Sequence, residues 1–218
     1  MSVRRIQRTL VWSGWMRLAH ALISLSVLAL LATGWLVKWS PSVAVSASDW
    51  HELAGIGLTL GLLLRIWLLF TGTGPAHWSA LLPRRDDWHK LGMTLRCYAT
   101  LGRSPLPKWY AHNPLWAPVY LFMLFILVVQ TLTGLFMESW PLLAGFYLPS
   151  VHDFWSPVIL VFSGVHILTV LLHDAKGGAA DVSAVINGHR IFMVEDVDVP
   201  GTGSVHTVSL DQIGKPGK

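Results

Sequence analysis

The chain has 218 residues, of which 53% are hydrophobic and only 13% are charged, and its mean hydropathy is +0.51. A water-soluble domain of this length would need more charged residues to cover its surface, so the composition indicates an integral membrane protein. The net charge of +4 does not indicate nucleic-acid binding, because the basic residues fall between and beyond the hydrophobic stretches.

The hydrophobic pattern predicts four membrane-spanning helices. They cover residues 12–38, 50–71, 114–137 and 151–174. Asp49 is expected to cap the second span, and Pro114 to occupy the first turn of the third, where proline is tolerated. The fold class predicted from this pattern is an all-α, integral membrane four-helix bundle.

The segments outside the spans are polar and basic. Residues 72–113 form a long loop that is expected to contain a short interfacial helix over residues 87–101. Residues 175–218 form a tail that is expected to lie extended on the surface or against a partner. The chain thus divides into a membrane domain, residues 1–174, and a C-terminal tail, residues 175–218.

The distribution of basic residues predicts the orientation in the membrane. Fourteen of the 16 Lys and Arg residues lie at the side formed by the amino-terminal flank, the 72–113 loop and the tail. Lys38 lies in the opposite loops, and Arg65 lies within the second span. Because basic segments stay on the cytoplasmic side, both termini are expected in the cytoplasm, and the protein in the bacterial cytoplasmic (inner) membrane.

Four histidines lie within or at the ends of the spans, at two depths. His152 and His166 are close to four helical turns apart, so they share one face of the fourth span, roughly 21 Å apart along its axis. His51 begins the second span on the outer side, and His20 lies toward the cytoplasmic side of the first. The positions therefore pair His51 with His152 outside and His20 with His166 inside. An ionisable ring inside a membrane helix marks a functional site.

Paired imidazoles from different helices are typical ligands of haem iron, and they give a six-coordinate centre suited to electron transfer. We therefore predict two haem b groups, each with two histidine ligands. Cys97 is the single cysteine and no C-x-x-C-H motif occurs, so covalent haem attachment is excluded. For any one histidine, polar contact between helices is an alternative; the match of four at two depths favours ligation.

Other residues fit the same interpretation with open alternatives. Arg17 and Arg65 lie near the inner level and could pair with haem propionates or reach lipid headgroups. Four glycines match the depths of the histidines and would leave room for a porphyrin or let helices approach closely: Gly34, Gly55, Gly134 and Gly164. The remaining histidines are expected at the surface: His77, His89, His112, His173, His189 and His206.

Residues 17–34, RLAHALISLSVLALLATG, resemble the first-helix signature of the b-type cytochrome subunits of nickel–iron hydrogenases. That signature has an arginine, then a histidine, then a closing Thr-Gly; the aromatic residue that usually follows the histidine is Ala21 here. The spacing of His152 and His166 matches that family, bacterial cytochrome b561 and the cytochrome b subunit of formate dehydrogenase. Residues 175–190 are similar to the segment after the last helix in those subunits.

The resemblance, which covers residues 12–190, implies a function. It implies that the outer haem exchanges electrons with a periplasmic redox subunit, either a hydrogenase, a molybdenum enzyme or a multihaem cytochrome c. It implies that the inner haem exchanges electrons with quinone, next to residues that match Asn113 and His166. Capping of the third span explains Asn113 equally well.

The leading hypothesis is therefore a di-haem membrane subunit that links the quinone pool to a periplasmic oxidoreductase and anchors it. One alternative is a free-standing oxidoreductase, similar to cytochrome b561, that passes electrons from a small donor to quinone without a partner. Another is a transporter with a histidine proton relay, but the sequence contains no inverted repeat to support it.

Overall fold

Four long apolar helices form the body of the molecule. A computed structural model of the chain describes residues 4–84, 87–176 and 181–195. Four helices within these ranges are long and apolar enough to cross a membrane: α1 (Gly14–Trp39), α2 (Ala44–Thr71), α4 (Trp116–Phe136) and α5 (Leu148–Ala175). A shorter helix, α3 (Asp87–Ala99), lies between α2 and α4 along the chain, and α6 (Asp181–Asn187) follows α5. The expected all-α membrane architecture is confirmed.

Two of the spans begin earlier than the sequence predicts. Pro41 opens a 3₁₀ turn, Pro41–Val43, that leads directly into α2 at Ala44. Asp49 therefore lies inside α2, and its predicted capping role is wrong. Proline has no N–H to leave unpaired in a first turn, so the helix starts from the proline turn rather than from the later aspartate. Helix α5 likewise begins at Leu148, with a proline in its first turn.

An apolar layer fills the middle of the bundle. It is made of buried residues from all four spans: Val27, Leu58, Leu62, Met123, Ile126 and Ile159. Helices α1 and α2 approach closely at Gly61, where an added Cβ would lie 3.0 Å from side-chain atoms of Leu22 and Ile23. Small residues permit such close contact between membrane helices. The layer separates the two ends of the bundle.

Both ends of the described chain contribute a strand at one end of the bundle. Strand β1 (Arg4–Leu10) pairs antiparallel with β4 (His189–Glu195). We call this the basic end, because the basic connection between α2 and α4 lies here as well. The tail is expected to be extended; this is wrong for α6, which is helical, whereas β4 is an extended strand. Residues 196–218 of the tail lie outside the described residues.

Glycine is required where α6 turns into β4. Gly188 has φ +82°, a left-handed conformation that favours glycine. A Cβ at this position would lie 2.6 Å from the carbonyl oxygen of Trp12. That close approach exists because the carbonyl of Gly188 accepts hydrogen bonds from the N–H groups of Val11 and Trp12. The turn thereby joins the start of α1 to the carboxy-terminal segment.

The remaining connections contain one expected and one unexpected element. The interfacial helix predicted within residues 87–101 is present as α3, with Trp88 and Leu95 exposed. The connection between α4 and α5 contains a small hairpin that its sequence does not predict, β2 (Leu142–Leu143) and β3 (Phe146–Tyr147). The hairpin lies at the opposite end of the bundle from the termini.

Candidate functional site

Two histidine rings face each other near the end of the bundle opposite the termini. His51 projects from α2 and His152 from α5, and their ring centroids lie 6.3 Å apart with the ring planes inclined by 67°. The structure thus brings together the two residues that were paired from their predicted depths. Their meeting depends on the packing of non-adjacent spans, since α2 and α5 are separated by α3 and α4 along the chain.

Each of these rings is held through the same nitrogen. Nδ1 of His51 lies 2.9 Å from Oγ1 of Thr33, and Nδ1 of His152 lies 3.0 Å from Oγ1 of Thr133. Nδ1 of His152 also lies 3.1 Å from the carbonyl oxygen of Gln130. A carbonyl only accepts, so this nitrogen carries the hydrogen and leaves Nε2 with a free lone pair. Such bonds orient imidazoles that bind metals.

Two glycines lie directly against these rings. A Cβ at Gly34 would lie 3.3 Å from Cε1 of His51, and one at Gly134 would lie 3.2 Å from Cε1 of His152. Each glycine follows the threonine that holds the same ring, so a Thr-Gly pair on one helix seats a histidine of the next span. A Cβ at Gly55 or Gly164 would meet nothing within 4 Å, which leaves open space at both positions.

The second predicted pair lies toward the basic end. His166 of α5 stacks on Phe162, with centroids 5.7 Å apart, and meets Tyr120 and Trp116 edge-on. Its Nδ1 is buried without a hydrogen-bond partner. His20 of α1 is exposed and lies within electrostatic range of His166. Unlike the first pair, these two rings make no direct contact within the described part of the chain.

The donor set fits haem better than a metal held by protein alone. A protein metal site usually needs three or four ligands, and the described residues contain no group of three or more His, Cys, Asp or Glu side chains in such a position. Haem iron needs only two axial ligands. With metal–nitrogen bonds of about 2.0 Å on both faces, two axial imidazole centroids would lie about 6 Å apart. The His51–His152 separation matches this spacing.

The two inner arginines bind backbone carbonyls. Arg17 donates from Nη1 to the carbonyl of Ile186 in α6, while its Nε is buried and unpartnered. Arg65 donates from Nη1 to the carbonyl of Ala76 at 2.9 Å. Both guanidinium groups therefore tie other segments to the basic end, and pairing with propionates stays a prediction.

Asn113 holds the turn that leads into α4 and keeps a free donor. Its Oδ1 accepts a hydrogen bond from the N–H of Leu115 at 2.9 Å, and its carbonyl accepts from Trp116 and Ala117. The residue is only 4% exposed, and its Nδ2 has no partner. The predicted cap lies too early, because α4 begins at Trp116 with Leu115 as its N-cap residue, and Pro114 therefore precedes the helix. The amide donor of Asn113 remains without a partner.

His112, expected at the surface, is instead packed among aromatic rings. It meets Trp12 and Tyr120 edge-on, with centroids 5.0 and 6.2 Å away, and its Nδ1 is buried without a partner. Burial lowers the pKa of His112 to about 4, and the charges of Arg65 and Arg190 act in the same direction. The ring is thus neutral near pH 7. Tyr120 links it to His166.

A cavity of about 630 Å³ opens beside this segment at the basic end. Its walls come from the connection after α2, the start of α3 and the segment before α4; they include Thr73, His77, Arg84, Lys90, Trp109 and His112. This volume is within the range of small-molecule and cofactor sites. The sequence predicted a loop here without indicating that it would enclose a cavity.

A second histidine expected at the surface, His173, is buried in a polar network. Its Nε2 lies 2.8 Å from the hydroxyl of Tyr98, which also accepts from Nε1 of Trp116 at 2.7 Å. Nδ1 lies 3.6 Å from Asp181, and Asp181 pairs with Arg190 at 2.7 Å. The partners come from four different segments, so no local pattern in the sequence could have revealed the network.

Comparisons with known proteins agree with one another. The family model described as prokaryotic cytochrome b561 matches residues 11–188. A protein of Azotobacter vinelandii named "Probable Ni/Fe-hydrogenase B-type cytochrome subunit" is 27% identical, over 87% of this chain and 91% of its own length. A protein of the same name from Rhodobacter capsulatus is 25% identical, over 90% of this chain and 87% of its own length. No solved structure matches the chain.

Proposed function

The chain belongs to the prokaryotic cytochrome b561 family, and from that premise we propose that it is a di-haem subunit passing electrons between quinone and a periplasmic oxidoreductase, which it also anchors. The family match and the four membrane-length helices make it a multi-pass bacterial membrane protein with the electron-transfer role of a b-type cytochrome. The resemblance of the first span to hydrogenase cytochromes agrees with the names of the relatives.

The ligands in this proposal are His51 and His152 for the outer haem, and His20 and His166 for the inner haem. The main support for this proposal is the 6.3 Å separation between the ring centroids of His51 and His152, with Nδ1 of each ring hydrogen-bonded to a threonine. Bound haem supplies a one-electron carrier with no covalent change in the protein. Thr33 and Thr133 fix which nitrogen of each ring is free and where it points.

The residues between the two levels keep the sites apart and dry. Val27, Leu58 and Ile159 belong to the apolar layer between the histidine levels, and they exclude water from the middle of the bundle. On α5 the two ligands lie roughly 21 Å apart along the helix. One level can therefore exchange electrons at each side of the membrane.

The distribution of basic residues indicates at which side of the membrane each histidine pair exchanges electrons. The basic end is expected in the cytoplasm by the positive-inside rule, which places the His51–His152 level near the periplasm. The relatives are named as hydrogenase subunits, and we propose a hydrogenase-type redox enzyme as the partner on that side. Quinone would exchange at the basic end, where Asn113 keeps an unpartnered amide donor.

Optical spectroscopy of the purified protein tests the proposal. The dithionite-reduced protein should show the α band of a b-type cytochrome, with about two haems per chain. After purification in mild detergent, a redox enzyme should co-purify with the protein. A free-standing oxidoreductase would instead purify alone and still accept electrons from a small donor. A protein purified without haem, and unable to bind added haemin, would refute the proposed function.

A further inference from the structure

We propose that Arg190, in the carboxy-terminal segment, is the residue that positions residues 109–112, the wall of the cavity in which quinone would bind beside Asn113. This inference rests on the proposed function, since it concerns how the quinone exchanged at the basic end is held. Arg190 contacts neither of the proposed inner ligands, so it is a positioning residue that acts through backbone carbonyls.

The guanidinium of Arg190 is buried and contacts several groups at once. The residue is 2% exposed, and its Nη1 lies 3.1, 2.8 and 3.3 Å from the carbonyl oxygens of Trp109, Tyr110 and Ala111. Its Nη2 pairs with Asp181 at 2.7 Å. The guanidinium also lies over the rings of Trp109 and Phe192. The guanidinium thus binds the carbonyls through one nitrogen and Asp181 through the other, whereas a lysine has one nitrogen and cannot do both.

The held segment leads directly into the proposed site. The carbonyls bound by Arg190 belong to the three residues before His112, and Asn113 follows. Trp109, Tyr110 and His112 line the cavity of about 630 Å³. Extended loops without regular hydrogen bonding do not hold their own conformation, so this wall of the cavity depends on the partner that satisfies its carbonyls.

The carboxy-terminal segment is itself firmly attached to the basic end. Strand β4, which carries Arg190, pairs with β1 along its length. Asp174 at the end of α5 accepts hydrogen bonds from the N–H groups of Asp181 and Val182. A rigid support of this kind is what a residue needs in order to position a binding wall.

Stopped-flow reduction of the haems by duroquinol tests this inference with the full-length protein. In Arg190→Lys, which keeps the cation beside Asp181, the half-saturating duroquinol concentration should rise about tenfold. The limiting rate, the haem content and the reduced spectrum should stay as in the wild type. Arg190→Gln should raise the half-saturating concentration further.

The control is Arg8→Gln, because Arg8 is an exposed arginine that reaches β4 at His189 without touching residues 109–111. Its half-saturating concentration should be unchanged. An unchanged value in Arg190→Lys, or loss of haem from that variant, would overturn the inference. Haem in the wild type that duroquinol does not reduce would instead refute the proposed quinone exchange.

Discussion

Thr33 and Thr133 hold equivalent positions on α1 and α4. Each hydroxyl lies within 3.0 Å of Nδ1 of a histidine on the following span, and each donates to a carbonyl four residues earlier in its own helix. Because the hydroxyl hydrogen is used within the helix, the oxygen accepts from the imidazole N–H. The two halves of the bundle thus seat their outer histidines by one local arrangement.

Removing either hydroxyl should weaken the binding of the proposed outer haem. In Thr33→Val, Nδ1 of His51 loses its acceptor, and we expect haem transfer to excess apomyoglobin to speed about tenfold to a hundredfold for one of the two haems. Thr71→Val is the matched control, since its hydroxyl bonds only its own helix, at the carbonyl of Trp67. Equal rates of haem transfer in the two variants would show that Thr33 does not hold the haem ligand His51 in place.

A side chain at Gly34 should displace the His51 ring. The Cβ in Gly34→Ala would lie 3.3 Å from Cε1 of His51, so the ring must shift by a few tenths of an ångström, and a valine would displace it further. We expect altered g values of one low-spin haem in Gly34→Ala and reduced haem content in Gly34→Val. Gly92→Ala, where an added Cβ meets nothing within 4 Å, should leave both unchanged. A wild-type haem content in Gly34→Val, or wild-type g values in Gly34→Ala, would contradict this packing.

The spans and the depth of the histidines could be read from the sequence, because hydrophobic runs and helical spacing are local properties. The start of α2 could not, since Asp49 is a better cap by residue type than the proline turn that the chain uses. The burial of His173 depends on Tyr98 and Asp181, which arrive from other segments. The pairing of β1 with β4 joins residues far apart in sequence, and neither strand is apolar enough to be predicted from its own sequence.

His112 should make the fold sensitive to acid. Its pKa is about 4 in the folded protein and near 6.5 when unfolded, so the unfolded state binds more protons between these values. Its contribution to stability is therefore complete above pH 6.5 and is lost as the pH falls toward 4. Thermal unfolding in detergent should show a smaller loss of Tm over this range in His112→Gln. An identical pH dependence in the variant would contradict the burial of this ring.

Labelling with a membrane-impermeant maleimide should establish the orientation. In a Cys97→Ser background, intact cells should label Leu143→Cys in the β2–β3 hairpin and leave Gln7→Cys in β1 unlabelled. Both should react after permeabilisation, because both side chains are exposed. Labelling of Gln7→Cys in intact cells would reverse the proposed sides of quinone and partner.

Low-temperature EPR of the oxidised protein tests directly whether His51 and His152 bind the same iron. The wild type should show two low-spin haem signals. His51→Ala, His152→Ala and the double variant should each lose the same single signal, while His20→Ala loses the other. Loss of different signals in His51→Ala and His152→Ala, or survival of both signals in the double variant, would contradict the account.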